Sequence, residues 1–210
     1  MKNKKILCIS SYLLVAFAAW TVLLTLVDVK AVGPLGSKVG FATINHAFHR
    51  FTGVNMTLYT ITEWAGLIPI AVAAGFAVFG LIQFIKRKSI FKVDKDIVLL
   101  GVFYAIVVAT FVFFEIFAVN YRPILIEGIL EASYPSSTTM LTLCVMPTAI
   151  MQFNARIKGC ALRRAIVIVM VAFTVFTVIG RLISGVHWLT DIIGGALFSS
   201  GLVTLYSFLK

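Results

Sequence analysis

His187 and Asp191 stand four residues apart in the stretch Gly180-Arg181-Leu182-Ile183-Ser184-Gly185-Val186-His187-Trp188-Leu189-Thr190-Asp191. On a helix that spacing puts both side chains on one face and within reach of each other. A carboxylate bonded to one ring nitrogen of a histidine fixes the tautomer and leaves the other nitrogen with its lone pair, which suits a nucleophile or a base. Arg181 lies across a short Ser-Gly turn, and its planar fork of donors matches a phosphoryl group. The same residues also suit a structural role, an Arg–Asp pair pinning two helices with His187 as an interfacial polar group. Chemistry alone weighs the two equally.

A second polar group, Glu115, Arg122-Pro123, Glu127 and Glu131, leads into Tyr134-Pro135-Ser136-Ser137-Thr138-Thr139. Pro135 favours the first turn of a helix, so Ser136, Ser137 and Thr138 would present free backbone N–H groups and hydroxyls at its positive end. That makes an anion cradle one short loop after Arg122; read as structure alone, it is a helix start with capping hydroxyls. His46 and His49 have a spacing seen in metal sites. With no third ligand and no nearby carboxylate, their segment reads instead as an amphipathic stretch at the membrane interface, and no metal or other cofactor is expected. Cys8, Cys144 and Cys160 show no paired spacing, so neither a disulfide framework nor a zinc site is indicated.

The elements that must hold these residues follow from composition. Of the 210 residues, 60% are apolar and 12% charged, against about 25% charged in soluble domains. The mean hydropathy is +1.04. One soluble core of this size cannot hide so much apolar surface, which excludes a soluble globular enzyme, and a disordered chain is excluded by the same numbers. A helical span takes about 20 apolar residues. Uncharged or nearly uncharged runs predict six spans at about 6–27, 62–85, 97–119, 136–155, 163–184 and 188–209, with a long outer loop at 28–57. They show no period of two, so the expected fold is all-α, a polytopic six-helix bundle forming a single membrane domain over 1–210. The first run follows Lys2, Lys4 and Lys5, and its length favours a retained span over a cleaved leader. Pro69 and Pro147 fall inside the second and fourth spans and are expected to kink them.

Basic residues then set orientation. Lys2, Lys4, Lys5, Lys86, Arg87, Lys88, Lys92, Lys95, Arg156, Lys158, Arg163, Arg164 and Lys210 lie on one side and make 13 of the 18. The positive-inside rule places both termini in the cytoplasm, and it assigns the net charge of +10 to topology rather than to a nucleic-acid partner. Both polar groups then face outward on a multi-pass protein of the cell membrane. Ionisable residues at the edge of spans are costly and functional by default, and their coincidence on one side points to a single site.

These residues match a family pattern. Arg181-x5-His187-x3-Asp191, with Gly185-Val186-His187-Trp188 and the following Gly194-Gly195, resembles the third signature of the type 2 phosphatidic acid phosphatase superfamily, whose membrane members have six spans. Arg122-Pro123 resembles the end of its first signature, Lys-x6-Arg-Pro, and Tyr134-Pro135-Ser136-Ser137 the start of its second, Pro-Ser-Gly-His. The resemblance implies metal-independent phosphoryl transfer from a phosphorylated lipid at the outer face. His187 would form a phosphohistidine and Asp191 would orient it. Arg122, Arg181 and the amides of Ser136 and Ser137 would hold the phosphoryl oxygens. Family substrates include phosphatidate, phosphatidylglycerol phosphate and polyprenyl diphosphates.

The sequence departs from the pattern twice. Thr138 stands where the second signature ends in a histidine that protonates the leaving group, and a hydroxyl is far too weak an acid to replace it. Glu115 stands where the first signature opens with lysine, seven residues before Arg122 and thus two helical turns away on one face. Three readings follow. The protein is a phosphatase for lipids whose leaving group needs no proton, such as diphosphates; or Glu115, with Glu131 as a less well placed alternative, serves as the acid; or the chain binds or transports phosphorylated lipids without turning them over. A carrier would show paired broken spans near the midplane, whereas here the charges crowd at one face.

Overall fold

The computed structural model describes residues 2–210. Among them are eight α-helices: α1 (Lys2–Leu26), α2 (Ala42–Thr52), α3 (Met56–Ala65), α4 (Leu67–Arg87), α5 (Lys95–Ile116), α6 (Ser137–Arg156), α7 (Cys160–Ile183) and α8 (Leu189–Leu209). No strand occurs among the described residues; pairing is limited to isolated bridges such as Tyr121↔Ala132. The chain is therefore all-helical. Five segments are long and apolar enough to cross a membrane: 4–26, 56–87, 95–116, 160–183 and 189–209. Their outward faces carry large exposed apolar side chains such as Val22, Val78 and Val169, the reverse of a water-soluble surface. This is a multi-pass membrane protein.

α6 has a comparable length but a different composition. Thr138, Thr139, Thr142, Thr148 and Gln152 are all buried along it, because α6 runs through the centre of the bundle between α4, α5, α7 and α8. Its polar side chains find internal partners. Thr148 Oγ1 donates to Cys144 O at 2.8 Å, and Ser199 of α8 donates to Met140 O at 3.1 Å. Around them Phe103, Val107, Met140, Cys144, Met146, Phe198 and Leu202 form the main apolar core. α8 packs on its other side against α1, where Ser10 Oγ donates to Gly201 O at 2.9 Å.

The two expected proline kinks come out differently. The segment 56–87 is broken at Gly66, between α3 and α4. Pro69 sits in the first turn of α4, and its ring and missing N–H act on the carbonyl of Ala65, four residues back, where α3 ends. A Cβ on Gly66 would lie 3.0 Å from Glu63 O and 3.3 Å from Thr138 Cγ2, so the break sits tightly against the start of α6. α6, in contrast, runs unbroken across Pro147.

Each end of the bundle has its own chemistry. At one end Arg156 reaches Asp96 at 2.8 Å, Arg87 reaches Asp94 at 2.8 Å and Lys210 Nζ donates to Met151 O at 2.9 Å. At the other lie the 28–57 segment, the loop between α5 and α6, and the turn between α7 and α8. The 28–57 segment is structured. α2 buries Ala42 and Asn45 while Ile44 and Phe51 stay exposed, as an amphipathic stretch requires.

Candidate functional site

The turn from α7 to α8 brings the polar residues of both groups together. Gly185 adopts φ +70°, and a Cβ there would lie 1.9 Å from Gly53 O, so backbone conformation and space both demand glycine. The 28–57 segment braces this turn from outside. Asn55 N donates to Ser184 O at 2.9 Å, and the Gly185 carbonyl at 3.0 Å makes His49 Nε2 a donor. Asn45 bonds Thr190 twice, accepting from its N–H at 3.2 Å and donating to its hydroxyl at 2.9 Å. His49 thus serves as a brace while His46 is exposed, and no group of three or more potential metal ligands occurs among the described residues.

His187 is buried at 3% exposure, just ahead of α8. Its Nε2 lies 3.4 Å from Arg122 Nη1 and 3.4 Å from Arg181 Nη2. Guanidinium nitrogens only donate, so Nε2 carries the lone pair and Nδ1 the proton, which is donated to Ser133 O at 3.2 Å or Ser133 Oγ at 3.0 Å. Burial, then Arg122 and Arg181, hold this imidazole well below its ordinary value of 6.5, against a smaller opposing pull from the Ser133 carbonyl. It is a neutral histidine with a free lone pair aimed between two cations.

The expectation that His187 and Asp191 share a helix face is corrected here. α8 begins at Leu189, and the direct approach of His187 Nδ1 to Asp191 Oδ2 is 3.8 Å. Ser133 Oγ stands between them and donates to Asp191 Oδ2 at 2.5 Å. The same oxygen accepts from Trp188 N at 2.9 Å, capping α8, and Oδ1 accepts from Asn120 Nδ2 at 3.4 Å. Asp191 is a helix cap that reaches the imidazole through a serine.

Arg122 and Arg181 are both buried. Tyr59 of α3 lies beneath them, its ring centre 5.8 Å from Arg122 Cζ and 5.1 Å from Arg181 Cζ. Glu131 Oε2 lies 2.8 Å from Arg122 Nε, and Glu63 Oε2 lies 2.8 Å from Arg181 Nη1. Both contacts are charge-assisted, whereas Arg181 Nε has no acceptor among the described residues.

The cradle expected at Ser136 begins one residue later. The Ser136 amide donates to Asp191 O at 3.2 Å and its hydroxyl to Thr139 Oγ1 at 3.1 Å, so Ser136 joins α6 to α8. Ser137 and Thr138 open α6, in the first turn where amides have no intrahelical acceptor. They line a cavity of about 370 Å³ with Glu63, Gly66, Met140 and Phe111. α5 ends at Ile116, so Glu115 and Arg122 share no helix and the two-turn relation does not exist; Glu115 is exposed.

The structure thus gathers Arg122, Arg181, His187, Asp191, Glu131, Ser137 and Thr138 at one end of the bundle. It adds Ser133, Asn120, Tyr59 and Glu63, which residue type and spacing did not single out.

No family model matches the sequence, and no curated protein matches it. Among solved structures, the fold is similar to that described as the first transmembrane PAP2 type phosphatidylglycerolphosphate phosphatase from Bacillus subtilis. The TM-score is 0.65 at 17% sequence identity, over 95% of this chain and 94% of that chain. The chain accordingly has the fold of a PAP2-type membrane phosphatase.

Proposed function

We propose that this protein is an integral membrane lipid phosphatase acting on phosphatidate-type or polyprenyl diphosphate lipids through a phosphohistidine. One observation carries the reading: two buried guanidiniums converge on His187 Nε2 at 3.4 Å each. A phosphoryl group supplies acceptor oxygens for guanidinium donors and an electrophilic phosphorus for the lone pair. Nε2 attacks phosphorus, the bond to the lipid oxygen breaks, and water then cleaves the N–P bond to release phosphate. Ser133 and Asp191 hold the Nδ1 proton in place throughout. With a lipid diphosphate the departing group is itself a phosphate monoester and needs no proton.

The lipid part of the reading rests on the neighbouring apolar space. The cavity beside Ser137 and Thr138 shares Ile70, Val107, Val108 and Leu141 with an apolar groove of about 680 Å³ between α4 and α5. A hydrocarbon chain attached to a phosphate at Arg181 fits along it. In this reading α6 is a sixth crossing, both termini are cytoplasmic as the basic end of the bundle supports, and the site faces outward.

Phosphate release from a lipid monophosphate and a lipid diphosphate, measured in detergent micelles with EDTA, tests the proposal. An acid-labile phosphoenzyme that disappears in His187→Ala supports it; release from neither lipid sinks it. Thr138, standing where a histidine would protonate the leaving group, favours a second reading, a protein that binds phosphorylated lipids without cleaving them. That reading requires His187→Ala to leave lipid-phosphate affinity nearly intact and no phosphoenzyme to form.

A further inference from the structure

A phosphatase that also takes monophosphate esters must protonate an alkoxide as it departs, and on the reading above no group has yet been given that task. His187 commits Nε2 to phosphorus and its Nδ1 proton to Ser133. Asp191 is enclosed by Ser133, Asn120 and the Trp188 amide. Two carboxyls remain on the guanidiniums. Glu131 contacts Arg122 through Nε, whereas His187 faces Nη1 of that arginine, so the two lie on different edges of the fork. The Glu131 carbonyl also accepts from Arg122 N at 3.0 Å, which ties its main chain to the loop. Glu63 is placed differently. It contacts Nη1 of Arg181 while His187 faces Nη2, so carboxyl and imidazole share the terminal edge of one guanidinium. A phosphoryl group bound along that edge has the nucleophile at one end and Glu63 at the other.

Glu63 also borders the space a leaving group needs. It lines the cavity with Ser137 and Thr138, and its own carbonyl is packed against Gly66 at the α3–α4 break. Its side chain is 50% exposed while that of Arg181 is at 0%, so the carboxyl is reached by solvent from the side away from the guanidinium.

From this placement we propose that Glu63 is the catalytic acid, donating a proton to the lipid oxygen as the phosphorus–oxygen bond breaks. The phosphoryl oxygens take over the terminal edge of Arg181, and Glu63, released from it, carries a proton from solvent. The Nε2–P bond forms, the P–O bonding pair passes to the lipid oxygen, and that oxygen takes the Glu63 proton and leaves as the alcohol. The Glu63 carboxylate then accepts a proton from the water that attacks phosphohistidine. The N–P bonding pair returns to Nε2 and phosphate departs, which restores the starting state.

The test compares two leaving groups in the full-length protein in micelles, an alkyl lipid monophosphate and a lipid diphosphate. Glu63→Gln should lower kcat on the monophosphate by about 10²–10⁴-fold more than on the diphosphate, because only the alkoxide needs the proton. Glu63→Asp should recover part of the monophosphate rate. Retained phosphoenzyme formation from the diphosphate shows that the variant is folded. Equal losses on both substrates would make Glu63 a positioning residue for Arg181 and overturn the proposal, as would full monophosphate activity in Glu63→Gln. A wild-type protein that cleaves neither substrate overturns the phosphatase reading itself, and the acid with it.

Discussion

Ser133 Oγ bridges His187 Nδ1 and Asp191 Oδ2 at 3.0 and 2.5 Å, while the two catalytic candidates themselves stand 3.8 Å apart. Orientation of the imidazole therefore passes through a serine from the loop between α5 and α6. Ser133→Ala should lower kcat about 10–100-fold with little change in KM, the pattern of a group that acts mainly in the transition state. Asp191→Asn should cost at least as much, since it weakens the α8 cap as well. Steady-state turnover together with the rate of phosphoenzyme formation checks both.

Arg181→Gln and Arg122→Gln should each weaken binding of inorganic phosphate by about 10–100-fold, the scale of one charge-assisted hydrogen bond of about 1.5–3 kcal/mol. Arg181→Lys should not restore it. A single ammonium cannot replace the two terminal nitrogens, of which Nη2 faces His187 and Nη1 faces Glu63. Competition by phosphate against turnover reads these affinities directly.

The His187 imidazole is held neutral by burial first and then by Arg122 and Arg181, with Asp191 kept behind Ser133. Its folded-state titration lies well below 6.5, so turnover should show no acid limb at that pH from the nucleophile. Arg122→Gln removes one of the two opposing cations and should move the imidazole's titration upward. Nitrogen-15 chemical shifts of the histidine rings across pH 4–8 test the direction; an unchanged His187 midpoint in Arg122→Gln would contradict the electrostatic account.

The parts of the site visible in sequence are those whose residue types are costly in a membrane. Arg122, Arg181 and His187 stand out because lipid-facing helices do not tolerate them without a reason. Glu63 belongs to the same class and lies inside the expected span at 62–85, yet it stands alone there, far in sequence from both polar groups. Ser133 and Asn120 are neutral loop residues with no signal of their own. They gain a role only because the bridge Tyr121↔Ala132 and the bond from Ser133 N to Asn120 O carry them to Asp191. The two-turn relation of Glu115 to Arg122 failed for a local reason: it assumed a helix continuing through 122, and α5 stops at Ile116.

Gly185 is where conformation and packing meet most tightly. Gly185→Ala should cost at least about 1–3 kcal/mol from its positive φ alone, with a further penalty because the new Cβ would sit 1.9 Å from Gly53 O. The damage should be local to the turn that carries His187. A lower melting temperature together with lost turnover is expected, and added phosphate should recover part of the melting temperature if the site still forms.

The groove between α4 and α5 gives the last prediction. Ala73, Ala77, Gly80 and Gly101 line it, and a Cβ on Gly101 would meet nothing within 4 Å. Small residues on facing helices usually allow close packing in membranes, yet here they border open apolar space adjacent to the cavity lined by Ser137, Thr138 and Glu63. If that space receives the substrate's hydrocarbon chain, Ala77→Phe should raise KM for a long-chain lipid phosphate by about 10-fold or more, the cost of displacing a few buried methylenes at about 0.8 kcal/mol each. A short-chain, water-soluble phosphate ester never occupies the groove, and its kcat/KM should stay unchanged. Parallel kinetics on the two substrates separates chain recognition from damage to the site: equal losses would show that the phenylalanine disturbs α6, and unchanged long-chain kinetics would show that the chain lies elsewhere.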